Sequence, residues 1–573
     1  MRISKALVAA TLALALLPAT PAVSARRKAD STRKSLPALT PARADALTDA
    51  LQDGDLSASE YALERARSLF RLRSVRGEFG AVARPDGRDA TLILRDLAIR
   101  ASSLDGAERA EAAAILARPD DGRGDGYGQP YKRNATVEVL CAPDPDVKVC
   151  VHYVPTGGGD SFNETLPTWA ADTLAEMTTV WNREVVELAF NAPKSDNSSD
   201  PNGGDGRTDV YLANIGSDGV YGYCSSDDPE LFKANGRKNV SSYCVLDNDY
   251  STDEFPNLPP LENMQVTAAH EFFHASQFAY DIYEDSWFIE GTAAWVEDEV
   301  YDAVNDNYQY LMQSPASQPH RSVDLTNNGG KFMTRYGAWY FWRFLSESFS
   351  GTPGQSDASV IRRVWEQADG SAGAPDQYSL QAAETVAAQE GTNLTDVFAD
   401  FAATAFVPET FFEEGAAYLS YLLTERDLDK PSREGRPPLK LNKKLSASAP
   451  KARKRVELDH LASAYFSFRP KGSVPDTSTV KLKVKGPALS RGTTATAIVM
   501  NVDGTADLTR ITLDKLGDGS QTVSFSPATV RRVVLVATNA STKYKNCGSG
   551  SLLSCGGTAK HDDQKFVVKG ILK

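Results

Sequence analysis

The segment His270-Glu271-Phe272-Phe273-His274 pairs two imidazoles with a carboxylate at a spacing that can hold a metal ion. Residues four apart share one face of an α-helix, so His270 and His274 can point at a common ion. Glu271 falls beside that ion rather than in line with its ligands, where a general base for an activated water is needed. Hydrolytic zinc takes three protein ligands and keeps a fourth position for water. Glu290 is the best third ligand, because a second short helix there can pack back on the first. A histidine six residues past His274 is excluded, since that position is Tyr280; an aspartate soon after a Gly-Thr pair is excluded by Ala294. The chain has 6 histidines in 573 residues, so a chance match to this motif is expected in well under about one chain in a hundred. The competing reading, a helix whose histidines merely pack or face solvent, is the weaker one.

Glu290 also stands in a longer context. Trp287, Glu290, Gly291, Ala293, Trp295 and Glu297 match the pattern Trp-x-x-Glu-Gly-x-Ala-x-aromatic-x-Glu. In this the chain resembles the gluzincin metallopeptidases, which include the thermolysin-like enzymes and the zinc aminopeptidases. With Gly203-Gly-Asp-Gly-Arg-Thr-Asp-Val-Tyr-Leu212 and Tyr221-Gly-Tyr-Cys224, residues 130–430 or so are similar to a family of secreted bacterial metalloproteases known mainly from sequence. The resemblance implies one catalytic zinc on His270, His274 and Glu290, with Glu271 as general base. It also implies a downstream tyrosine as oxyanion donor. Tyr336, beside Gly337, is the nearest match, with Tyr340 and His320 behind it. Substrate is implied to add as a strand to a sheet edge ahead of the zinc helix, and Ser241–Leu246 is positioned for that role.

Glu297, seven residues after Glu290, shares nearly its helical face and can hydrogen-bond a ligand imidazole from behind. A solvated acidic helix end, continued by Asp298 and Glu299, competes with that role. An endopeptidase is expected ahead of an aminopeptidase, because Glu262-Asn-Met264 is only an inverted echo of the amine-binding segment of the latter. The third reading is a non-catalytic, secreted surface- or wall-binding protein with a closed structural zinc site.

The elements that must position these groups begin with a secretory signal over residues 1–25. Arg2 and Lys5 are followed by an apolar run from Ala6 to Leu17 and the small-x-small site Val23-Ser-Ala25. Its loss would take the net charge from −13 to −15. So acidic a chain is a poor partner for nucleic acid or anionic membranes. No later run is long enough for a membrane span. Peptide or protein substrates in an extracellular setting are expected. Six cysteines there imply disulfides, and sequence-local pairing gives Cys141–Cys150, Cys224–Cys244 and Cys547–Cys555, out of fifteen formal possibilities.

The expected architecture is multidomain α+β: a helical N-terminal segment, a zincin-like α+β catalytic domain around the motif helix, and a C-terminal β-sandwich. Residues 26–130 read as a helical propeptide or a retained N-terminal subdomain. Ser57-Ala-Ser-Glu60 opens one helix with a capping box, and Asp105–Ala117 forms another. Residues 131–426 form the metallopeptidase domain, with strands at Thr136–Leu140 and Val147–Val154 and a long helix over Trp169–Phe190. In the loop before a strand at Asp209, the oxygens of Asp196, Asp200, Asn202, Asp205 and Asp209 suit a hard cation such as calcium. A plain solvated turn fits the same letters. Residues 427–455, basic and Pro-containing, read as a linker. Residues 456–573 carry short β-rich runs at turn-separated intervals, the pattern of a β-sandwich. Such modules often bind surfaces or glycans.

Overall fold

A computed structural model describes residues 45–121, 131–234, 236–326, 333–352, 354–427 and 434–573, with Leu36 and Leu39 besides. The expected signal segment and the start of the helical segment lie outside these residues. The chain is mixed α+β, as expected.

The N-terminal helices are α1 (Ala46–Asp53), α2 (Ala58–Phe70), α3 (Leu72–Phe79), α4 (Ala90–Ala98) and α5 (Gly106–Ile115). The expected capping box forms at Ser57/Glu60, and the structure adds a second at Asp105/Glu108. Helix α4 is buried at all nine positions. Its Ile93, Leu94 and Leu97 enter the same core as Tyr223, Tyr243 and Val245 of the central sheet, while its buried Thr91 and Arg95 are hydrogen-bonded. Each such buried aliphatic side chain contributes roughly 1.5–3 kcal/mol.

That sheet comprises β1 (Glu138–Cys141), β2 (Val149–Pro155), β3 (Glu164–Thr165), β4 (Thr208–Ala213), β5 (Gly222–Ser225) and β6 (Tyr243–Asp247). Its order is β1-β2-β4-β6-β5, with β3 on β2. Strands β2, β4 and β6 run parallel, while β1 and β5 are antiparallel edges. The expected edge strand Ser241–Leu246 is therefore corrected: the strand there is β6, inside the sheet, and β5 is the edge. Two disulfides join residues directly opposite across these ladders, Cys141–Cys150 and Cys224–Cys244; the third is Cys547–Cys555.

Helix α6 (Pro167–Trp181) continues as a π-turn over Asn182–Glu187 instead of running straight to Phe190. Helices α7 (Pro260–Asp281) and α8 (Ser286–Val300) follow the sheet. The aromatic stretch forms two pieces, α9 (Thr334–Gly337) and α10 (Trp339–Ser348), and α11 to α14 (Ala358–Ala368, Ser379–Gln389, Leu394–Thr404, Gly415–Asp427) complete the helical layer. Helix α7 is wedged between three cores: Met264 and Phe272 face one, Phe273 and Tyr280 a second, Phe278 a third.

The C-terminal part packs a sheet of order β13-β10-β17-β8 against one of order β12-β11-β14-β9-β7. Here β7 is Leu439–Leu445, β8 Lys451–Leu458, β9 Ala462–Pro470, β10 Thr479–Lys485, β11 Thr493–Asn501, β12 Ala506–Arg510, β13 Asp518–Ser524, β14 Val530–Asn539 and β17 Gln564–Leu572; a small hairpin supplies β15 (Tyr544–Lys545) and β16 (Thr558–Ala559). Phe466 and Phe468 of one sheet share a core with Leu482 and Phe566 of the other. The expected linker 427–455 is corrected here, because much of it is β7 and β8, the edge strands of the two sheets. The lysines and arginines of β7 and β8 face solvent while Leu445 and Leu458 turn inward; basic edges resist further strand pairing.

Candidate metal centre

Helix α7 brings His270 and His274 to one face, with their rings 4.7 Å apart and nearly perpendicular. Helix α8 crosses beside it and delivers Glu290, which is completely buried. Gly291 lets α10 pack close on the far side of α8: a Cβ there would stand 2.8 Å from Nε1 of Trp342. The start of α8 is clamped from the C-terminal part, where Trp287 Nε1 donates to Ser554 Oγ at 2.9 Å.

Glu290 Oε2 lies 3.2 Å from His270 Nε2 and 3.7 Å from His274 Nε2. Donors about 2.0–2.1 Å from a tetrahedral zinc are roughly 3.3 Å from one another. The other ring nitrogens are committed elsewhere: His270 Nδ1 to Glu297 Oε1 at 2.6 Å, and His274 Nδ1 to Gln277 Oε1 at 2.8 Å. Gln277 is itself oriented by donating to the Ile289 carbonyl at 2.9 Å. Both imidazoles thus aim Nε2 at the shared point, and His274 Nε2 and Glu290 Oε1 are buried without a hydrogen-bond partner among the described residues. Orphaned buried polar atoms of this kind call for a partner, and a nitrogen–nitrogen–carboxylate set fits zinc.

Burial drives His274 down to about 4, so its ring is neutral as a ligand must be. Burial also opposes charge on His270, but the carboxylates of Glu290 and Glu297 outweigh it and hold its pKa well above the ordinary value. Glu271 is pushed up to about 7 by burial. Its Oε2 accepts from Thr91 Oγ1 of helix α4 at 2.9 Å. Gly222 of the edge strand runs tight against this residue, and a Cβ there would lie 2.9 Å from Glu271 Cγ. The motif Tyr221-Gly-Tyr-Cys224 is what lets β5 approach so closely.

A cleft opens beside these groups, lined by Arg88, Tyr221, Asn263, Asp306, Tyr310 and Tyr336 among others. Of the expected donors, Tyr336 lines this cleft, its ring 5.8 Å from that of His270 and nearly parallel. Its hydroxyl donates to the Arg88 carbonyl at 2.5 Å. The other two donor candidates are corrected. Tyr340 is fully buried against Phe412, and His320 lies exposed beside Arg321 and Lys440.

The expected calcium loop is also corrected. Asp196 and Asp209 do converge, but on the buried guanidinium of Arg118, which Asp227 also contacts. Asp205 pairs with Arg207, and Asn202 Oδ1 accepts from the Gly204 amide. Asp200 is exposed. A cation already sits among the carboxylates, and it is the protein's own.

Sequence reasoning missed Thr91, Arg88, Tyr310 and the supporting role of Gln277. Only Gln277 left a local signal, three residues from His274; Thr91 is 180 residues from Glu271.

No protein-family model matches the chain, and no curated protein is similar to it. Among solved structures, a family GH115 4-O-methyl-α-glucuronidase with specificity for decorated arabinogalactans matches at 8% identity over 68% of this chain, with a TM-score of 0.13. The chain covers 54% of that protein's length. A likeness this slight does not bear on fold or function.

Proposed function

We propose that the protein is an exported zinc-dependent endopeptidase with a zincin-like catalytic domain. The observation that carries this is the convergence of His270 Nε2, His274 Nε2 and Glu290 Oε2 beside the buried carboxylate of Glu271. His270, His274 and Glu290 would hold the ion. Zinc there would supply a Lewis acid that activates water and polarises a scissile carbonyl.

The chain's own residues do the rest. Glu271 accepts the proton of the attacking water and passes it to the leaving amine. Glu297 and Gln277 fix the two imidazole tautomers. Tyr336 reaches the tetrahedral oxyanion once its hydroxyl exchanges the Arg88 carbonyl for substrate. Export is supported by the three disulfides, which persist in oxidising compartments. Among the described residues no helix is long and apolar enough to cross a membrane.

The test is casein cleavage by wild type and Glu271→Gln, with metal analysis of both. Cleavage by wild type alone, at one zinc per chain in each, is the expected result. Equal turnover by both, or zinc lost from the variant, would remove Glu271 from the role of base. Stoichiometric zinc with no turnover in either would favour a structural zinc site.

A further inference from the structure

We propose that Thr91 is a positioning residue for Glu271, so that the N-terminal helical segment is a lasting part of the catalytic site and not a removable cover. This rests on the peptidase reading of the same site. The Thr91 hydroxyl is buried and used on both sides. Its oxygen accepts from the Cys224 amide of the edge strand at 3.0 Å, and it stands 2.9 Å from Glu271 Oε2. An amide has only a proton to give, so the hydroxyl's own proton is left for the carboxylate. One oxygen of Glu271 is thereby tethered, which leaves the other to serve the attacking water.

The segment that brings Thr91 there is built in. Asp89 pairs with the buried Arg335, one residue before Tyr336, and Arg95 Nη1 donates to the Glu284 carbonyl at 2.9 Å. Tyr243 of the sheet donates to the carbonyls of Leu116 and Ala117 at 3.0 and 2.9 Å. Helix α4 packs on the edge strand β5 and shares a buried core with its Tyr223.

Full-length zinc-loaded wild type, Thr91→Val and Thr91→Ser are compared in two assays. One is kcat and KM on a fluorogenic peptide. The other is calorimetric affinity for a peptide hydroxamate, whose acidic O–H a positioned carboxylate accepts. Valine keeps the shape and removes the hydroxyl, so kcat should fall about 10- to 100-fold, the scale of a hydrogen bond to a charged group. KM and zinc content should stay within about twofold, hydroxamate affinity should weaken, and serine should restore both readouts. A Thr91→Val variant as active as wild type overturns the inference. So does a more active one, which would mark the contact as inhibitory, or a serine variant as impaired as valine at equal Tm. Hydroxamate affinity that tracks the hydroxyl without turnover in any variant would sink the peptidase reading and leave the Thr91–Glu271 coupling standing. Equal affinity across the three, including none at all, overturns the coupling.

Discussion

His270 and Glu297 are joined through Nδ1 and Oε1 at 2.6 Å, with both side chains buried, so the carboxylate behind the ring decides which nitrogen faces Glu290. Helix α8 therefore contributes twice to the centre: Glu290 in front of the imidazole and Glu297 behind it.

Removing that rear carboxylate should weaken the metal site without dismantling it. Glu297→Ala is expected to lose about 10- to 100-fold in zinc affinity, the usual scale for such outer partners. Competition with a chelator measures it. An unchanged affinity would mean that packing alone holds the His270 ring, for instance its stacking against Tyr336.

Arg118 should matter where calcium does not. Arg118→Met leaves Asp196 and Asp209 buried without their cation, and stripping one partner from a buried ionic cluster costs about 3–5 kcal/mol. Thermal melts of wild type with and without calcium should coincide, while the variant melts far lower. A calcium-dependent rise in wild-type Tm would restore the cation-loop reading.

The C-terminal junction should carry a pH signature. His460 is buried between Asp324 and Asp562, with Nε2 2.9 Å from the first and Nδ1 2.6 Å from the second. Burial opposes its charge, yet these carboxylates outweigh burial and raise it to about 10. A folded pKa above the unfolded value of about 6.5 means the charged ring's stabilisation is full below about pH 6.5. It is lost as pH climbs through about 10. Wild-type Tm should fall across that window more steeply than the Tm of His460→Gln, which starts lower because it leaves both aspartates unpaired. Parallel slopes in a pH series of melts would show that His460 does not hold a proton there.

The sequence by itself determined whatever depends on neighbours along the chain. Four-residue helical spacing put His270 and His274 on one face, and seven-residue spacing put Glu297 behind Glu290. A capping box started a helix at Ser57, and sequence-local pairing matched the cysteines. Short β-rich runs between turn residues marked the strand-rich character of residues 456–573. Tertiary structure alone decided what comes from distant segments. It put β5 outside β6, made much of a basic stretch into two edge strands, and set Arg118 among aspartates whose letters fitted either a calcium loop or a plain turn. It also brought Thr91 to Glu271. A local period records which face of an element is apolar; it does not record which remote surface that face will meet. Thr91 looks like one more residue of a helix buried all round, and only the packing of α4 against β5 and α7 gives its hydroxyl a purpose.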